Sequence, residues 1–208
     1  MKKLAVLGAS GHGKVVADTA QCSGWDQVDF YDDAWPGRVH NGVWHVVGDS
    51  AALLARFHEY QGVIVAIGNN AVRSTKLASL SDRDAPIVSL IHPKAFVSQY
   101  SSIGPGSVIF AGAVVNADAK IGRGAILNTG CSVDHDCILG DTVHVSPGAR
   151  LAGAVSVGDR SWVGIGASVK QLITIGCDVV VGSGASVVSS VPDGVIVVGV
   201  PAKVIKTA

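Results

Sequence analysis

The feature that most restricts this chain is a period of six. From Val97 an aliphatic residue returns at every sixth place, through Ile103, Ile109 and Val115 to Val181 and Val187, sixteen times without an insertion. Four places after most of them stands a small side chain, as at Ser107, Ala113, Cys131, Cys137, Ala149 and Ser161. An α-helix repeats near 3.6 residues and a strand at 2, so neither sustains this rhythm. A hexad repeat is the signature of a parallel β-helix. Three hexads close an 18-residue triangular coil, with the aliphatic residues pointing inward from flat faces and glycines helping the chain round the corners. Each coil covers the backbone groups and apolar side chains of the next, which no coil could do alone.

The residues before this array follow a different pattern. "KLAVLG" reads as a short buried strand, "ASGHG" as a glycine turn, and "KVVADTAQCSG" as a helix stopped by Gly24. "QVDFYDD" reads as a second strand, "WPGRVHNG" as a turn, and "AALLARFHEY" as a helix capped by Ser50. "GVIVAIG" is a third strand and "NNAVRSTKLASL" a further helix. Alternating strands and helices predict a small parallel sheet covered on both faces. The expected organisation is therefore an α/β, Rossmann-like domain over residues 1–90 and a parallel β-helix with a C-terminal extension over residues 91–208.

Composition narrows the partners. Lys plus Arg and Asp plus Glu both number 16, which gives no basic face for nucleic acid. Glycine or polar residues interrupt every apolar run before the roughly 20 residues that a membrane helix needs. The apolar run in "MKKLAVLGAS" ends at Gly8, too early for an export signal, so a cytoplasmic location is expected. Cysteines 22, 131, 137 and 177 show no CxxC spacing, and no metal site is expected.

One interruption of the hexads carries chemistry. "VDHDCILGDTVHV" places His135 between Asp134 and Asp136, two places after inward Val133 and so near a corner, facing out. Residues 18 apart stack, which puts Ala117 below His135 and Gly153 above it, with Asp136 over Asp118. A ligand could reach the imidazole and a backbone N–H of the next coil together. Imidazole titrates near neutral pH, and an adjacent carboxylate raises its basicity, so His135 is a candidate general base with Asp136 as its helper. A surface histidine bonded to Asp136 or Asp134 is the plainer alternative. Cys131 and Cys137 take inward positions and make poor nucleophiles.

The hexads, "VDHDCILGD", the following "SPGARLAG" and the terminal "GVPAKVI" together resemble the sugar acetyltransferases of the left-handed β-helix class. The likeness is to the branch that acetylates nucleotide-linked amino sugars or sialic acids and carries a small Rossmann-like N-terminal domain. It spans essentially the whole chain, and the left hand of the coil comes from it alone. The resemblance implies acetyl-CoA as co-substrate, His135 as the base, Asp136 as the acid that orients it, and His144 as a cofactor contact. It further implies a homotrimer with sites between subunits. Gly153 would offer its amide to the developing oxyanion, while Ile165 and Ser183, stacked 18 apart, would line the pantetheine arm. Lys203 and Lys206 are candidates for the cofactor phosphates.

In the first segment, "GASGHGKVV" after a strand is suited to phosphate, because glycines admit the ligand to the backbone and the following helix points its N-terminus at the anion. It departs from the dinucleotide G-x-G-x-x-G pattern. By the resemblance, Gly11, His12, Gly13, Asp32, Asp33 and Gly68 would hold the nucleotide of a nucleotide-sugar, with Asn69, Asn70 and Arg73 nearby. The expected reaction is acetyl-CoA-dependent N-acetylation of a nucleotide-linked amino sugar, a UDP-4-amino sugar in the first instance, for glycan or surface-polysaccharide synthesis. O-acetylation of sialic acid or a related sugar is the alternative.

Overall fold

The structure is a computed structural model describing residues 1–207. It divides after Pro93 into two compact units.

In the first unit, strands β1 (Lys3–Leu7), β2 (Gln27–Tyr31), β3 (His40–Asn41), β4 (Trp44–Gly48) and β5 (Gly62–Val65) form one sheet in the order β3-β4-β2-β1-β5. All neighbours are parallel except β3 and β4, which pair antiparallel. Leu4, Ala5, Val6 and Leu7 are all buried, so both faces of β1 are covered, as an unbroken apolar run predicts. Helix α1 (Gly11–Cys22) follows β1 through a turn that only glycine permits. Gly8 has φ +113°, and a Cβ on Gly13 would lie 2.3 Å from the Gly8 carbonyl oxygen. Helices α2 (Ser50–Arg56) and α3 (Asn70–Ser81) complete this Rossmann-like unit.

Two local expectations change. The cap of α2 is Asp49, whose carboxylate accepts the Ala52 N–H at 2.8 Å, and α2 gives way to a 3-10 turn at Phe57–Glu59. The Ser50 hydroxyl instead accepts from Lys76 Nζ. The segment read as a turn contributes β3, and β4 follows it; Gly42, at φ +68°, turns the chain between them.

In the second unit the hexads wind into a three-faced parallel β-helix. The first face holds Phe96–Val97, Val114–Val115, Ser132–Val133, Arg150–Leu151, Ser168–Val169 and Ser186–Val187. Successive strands on a face are 18 residues apart, as in the pairing of Val115 with Val133. The second face runs from Ser102–Ile103 to Thr174–Ile175. On the third, Val108–Ile109, Ile126–Leu127, His144–Val145, Trp162–Val163 and Val180–Val181 lead to Val195–Val198, against which Lys203–Thr207 folds antiparallel.

The interior is aliphatic, apart from Ser107 and Ser161 and the inward cysteines. Each serine hydroxyl donates to one coil carbonyl and accepts one amide, so neither is left unsatisfied. Burial raises the thiols of Cys131, pushed up to about 12, and Cys137, which keeps both unreactive. The corners differ in composition. One edge uses glycine at every left-handed position: Gly112, Gly130, Gly148, Gly166 and Gly184. Another uses Asp118, Asp136, Ala154 and Leu172, keeping a side chain in that strained conformation on four successive coils.

Candidate active site

His135 lies at the edge whose left-handed positions carry side chains. Val133 anchors the strand inward, Asp134 begins the turn, and Asp136 takes φ +59°, a conformation Asp tolerates better than most residues. That turn folds the Asp136 carboxylate back onto its neighbour. His135 Nδ1–H donates to Asp136 Oδ2 at 2.7 Å, and both side chains stay well exposed, at 64% and 60%. A carboxylate only accepts, so Nδ1 carries the proton and the neutral ring presents the Nε2 lone pair. The hydrogen bond to Asp136 raises the imidazole pKa above its ordinary value, with the charges of Asp136 and Asp134 adding to it.

Gly153 lies against the same ring. A Cβ there would stand 2.5 Å from both His135 Nε2 and Cε1, so only glycine leaves the imidazole where it is. The adjoining amides of Ala152 and Ala154 donate to Val169 and His135 carbonyls, whereas the Gly153 N–H donates to no acceptor among the described residues. The predicted stacking of coils thus holds at this corner.

The structure does not bring His144 to this edge. It lies on the third face, 9% exposed, its ring stacked on Trp162 with centroids 5.4 Å apart and planes 2° apart. Asn128 Nδ2 donates to His144 Nε2 at 3.2 Å; the Asn128 oxygen is already accepting the Thr129 N–H, which orients the amide. Ile165 and Ser183 are exposed and stacked as expected, with the Gly184 N–H donating to the Ile165 carbonyl at 2.8 Å. Their edge is the one leaving the third face, a different edge from that of His135.

In the first unit a cavity of about 260 Å³ opens beside Gly8, Ser10, Asp32, Asp33, Gly68 and Lys76. A Cβ on Gly11 or Gly68 would meet nothing within 4 Å, so packing does not explain either glycine. Gly13, by contrast, is explained by the close turn. Asp32 ties the β1–α1 turn to the turn after β2, accepting the Ala9 N–H at 2.7 Å and the Ala34 N–H at 2.9 Å. Asp33 accepts from Ser50 N–H at 2.9 Å and Lys76 Nζ at 3.0 Å; these contacts, Ser50 foremost, hold its carboxyl down at about 2. Burial first, and then the Arg73 charge, lowers the His12 pKa to about 4, so this histidine is neutral near pH 7. Buried Arg73 donates to the carbonyls of Ile67 and Gly68 and to Asn70, while Asn69 caps α3. These residues shape the loop around the cavity. Sequence reading missed Lys76 and Ser50 as cavity residues, because the fold brings them to Asp33 from 43 and 17 positions away.

Among the described residues there is no cluster of three or more metal-ligating side chains, and no helix is long and apolar enough to cross a membrane.

Residues 3–80 match the PglD N-terminal domain family. Over 113 residues the chain is 39% identical to the UDP-N-acetylbacillosamine N-acetyltransferase of Bacillus subtilis (strain 168), a match spanning 53% of this chain and about half, 52%, of that curated relative. Among solved structures, the acetyltransferase domain of PglB from Neisseria gonorrhoeae FA1090, in complex with acetyl coenzyme A, is 42% identical with a TM-score of 0.93, covering 98% of this chain and 99% of that one. A mutant of perosamine N-acetyltransferase from Caulobacter crescentus, in complex with CoA and GDP-perosamine, is 40% identical with a TM-score of 0.94, covering 99% and 97%. With a PglD-type first unit, a hexad coil and full-length likeness at this identity, the chain belongs to the left-handed β-helix acetyltransferases of nucleotide-linked sugars.

Proposed function

We propose that this protein transfers the acetyl group of acetyl-CoA to the amine of a nucleotide-linked amino sugar, in glycan or surface-polysaccharide synthesis. The observation that carries the reading is the exposed His135 imidazole, hydrogen-bonded through Nδ1 to Asp136 and leaving Nε2 available beside Gly153. The neutral amine attacks the thioester carbonyl carbon, the C–S bond breaks, and the CoA sulfur leaves with the bonding pair. Nε2 takes the proton that the amine nitrogen must lose, and Asp136 stabilises the resulting imidazolium. The Gly153 N–H is the candidate donor to the carbonyl oxygen as negative charge develops there. No acyl-enzyme is needed, because the thioester is already activated.

The nucleotide belongs in the cavity of the first unit. Gly68, Asp32 and Asp33 line it with Gly8 and Ser10; Gly11, His12 and Gly13, which follow Ser10 and open α1, are not in that lining and would reach phosphate only through their backbone at the helix start. For the donor, Ile165 and Ser183 offer an exposed column along the coil, and His144 a ring held in place by Asn128 and Trp162. Because His135 and this column occupy different edges of one chain, a homotrimer that sets one chain's His135 beside its neighbour's donor column would complete each site. Exposed Ile138, Trp162 and Ile165 give the coil apolar surface suited to such contacts. The four cysteines are free, in keeping with a reducing cytoplasm.

The test is to incubate the protein with acetyl-CoA and a panel of UDP-, GDP- and dTDP-linked amino sugars, following thiol release and product mass together. Thiol release matched by the mass gain of one acetyl group on the sugar amine is expected. Absence of turnover with every such acceptor, while acetyl-CoA binds, would overturn the reading.

A further inference from the structure

The turn that carries His135 is braced by a second carboxylate besides that of Asp136. Asp134 Oδ1 accepts the His135 backbone N–H at 3.1 Å and also the Asn116 side-chain amide at 2.6 Å. Asn116 stands one coil earlier, directly beneath Asp134. Both residues are fixed by the ladder: the Asn116 N–H donates to the Val133 carbonyl and the Asp134 N–H to the Leu151 carbonyl, each at 3.0 Å. A single carboxylate oxygen therefore ties the peptide entering His135 to a neighbouring coil.

The fold itself does not require this brace. One coil further on, Ala152 occupies the place of Asp134, and Ala154 still takes the same left-handed conformation, at φ 58°, as Asp136. Two coils on, Lys170 stands there and Leu172 has φ 63°. Side chains unlike Asp thus serve the same turn, and the Asn116–Asp134 pair joins the coil that bears the imidazole to the one beneath it. Asp136 governs the ring through Nδ1, whereas Asp134 governs the backbone from which the ring projects.

We propose that Asp134, held by Asn116, is a positioning residue for His135, fixing the backbone so that Nε2 points at the substrate amine. The inference rests on His135 being the base. The residues stacked above and below the ring, Gly153 and Ala117, carry no charge; the acidic groups around it are Asp134, Asp136 and, one coil below Asp136, Asp118.

The test compares D134A, D134N and N116A in the full chain, with H135Q beside them, measuring kcat, the KM of each substrate, the pH profile and the melting temperature. Loss of the brace frees the ring by a fraction of an ångström, so D134A should lose about tenfold in kcat with both KM values kept, against the roughly hundredfold that a 1 Å misplacement costs. D134N keeps an oxygen acceptor in place and should restore kcat to within about threefold of wild type. Its acid limb should lie at lower pH, because one of the carboxylates favouring the imidazolium is gone. N116A should fall between D134A and wild type, at an unchanged melting temperature. Wild-type kcat in D134A, or D134N as slow as D134A, overturns the proposal. If D134A folds poorly, N116A decides: a lower kcat at an unchanged melting temperature supports the brace, and an unchanged kcat overturns it. Turnover in H135Q would defeat the assignment of the base itself, whereas an inactive H135Q beside a fully active D134A would defeat only the brace.

Discussion

Replacing Gly153 by alanine isolates the placement of the base from every other property of the site. The new Cβ would lie 2.5 Å from His135 Nε2 and Cε1, where carbon contacts need about 3.5 Å or more, so the ring must retreat by about 1 Å. The His135 Nδ1 to Asp136 Oδ2 distance is 2.7 Å, and a retreat of that size stretches the bond beyond useful length. A misplacement of about 1 Å in a reacting group costs roughly a hundredfold in rate, or about 2.7 kcal/mol of transition-state stabilisation. The substitution retains the backbone N–H at 153, and Gly153 is not in a left-handed conformation, so the oxyanion donor and the fold both survive. The imidazole is 64% exposed, so moving it sacrifices little packing. The assay is initial-rate thiol release together with thermal unfolding. G153A should turn over about a hundredfold more slowly with its melting temperature nearly unchanged. Gly24→Ala is the control: φ +84° makes it costly to stability, yet a Cβ there meets nothing within 4 Å, and the residue follows α1 in the first unit whereas His135 belongs to the second. A G153A enzyme within about threefold of wild type would refute the reasoning, as would a slow one whose loss is accounted for by unfolding.

Other consequences are open to measurement. The imidazole acts in its neutral form, and Asp136 holds its pKa above the ordinary 6.5; D136N should therefore move the acid limb of kcat/KM to lower pH and also lower the plateau rate. Leu172 keeps a left-handed φ of 63° while 76% exposed, so L172G relieves a strain of roughly 1–2 kcal/mol against an entropic cost of roughly 0.5–1. A melting temperature higher by a degree or more is expected, and a lower one would show that Leu172 makes a contact in the folded protein. Asp33 has its carboxyl held at about 2 in place of the ordinary 3.8, so its contribution to stability is present above about 4 and is lost as pH falls through about 2. D33N should flatten the fall in stability across that window in acid titrations. It should also weaken nucleotide-sugar binding by calorimetry, since it unties Lys76 beside the cavity.

The coil was legible because its physics is periodic. Val133 must point inward, and a register of 18 follows from three hexads, so Gly153 could be placed against His135 before any coordinate was known. Asp136 was legible because the contact is between chain neighbours. The same register contains the Asn116–Asp134 pair, yet two polar residues 18 apart do not announce which atoms they share. The first unit was harder. Strands β3 and β4 pair as a hairpin around Gly42, and β3 lies inside the segment that reads as a turn, while Asp49 takes the cap of α2 because its carboxylate reaches the Ala52 N–H. The cavity residue Lys76 comes from the middle of α3, and nothing in its local pattern marks it as a partner of Asp33. Local and periodic constraints could be read from the chain, whereas contacts fixed only by the packing of separate elements could not.

The central claim is that His135 takes the proton from the attacking amine. The most direct measurement is single-turnover acetyl transfer by H135Q, with acetyl-CoA binding measured on the same protein. The account predicts a rate at least about a hundredfold below wild type with donor affinity retained, and transfer at the wild-type rate would contradict it.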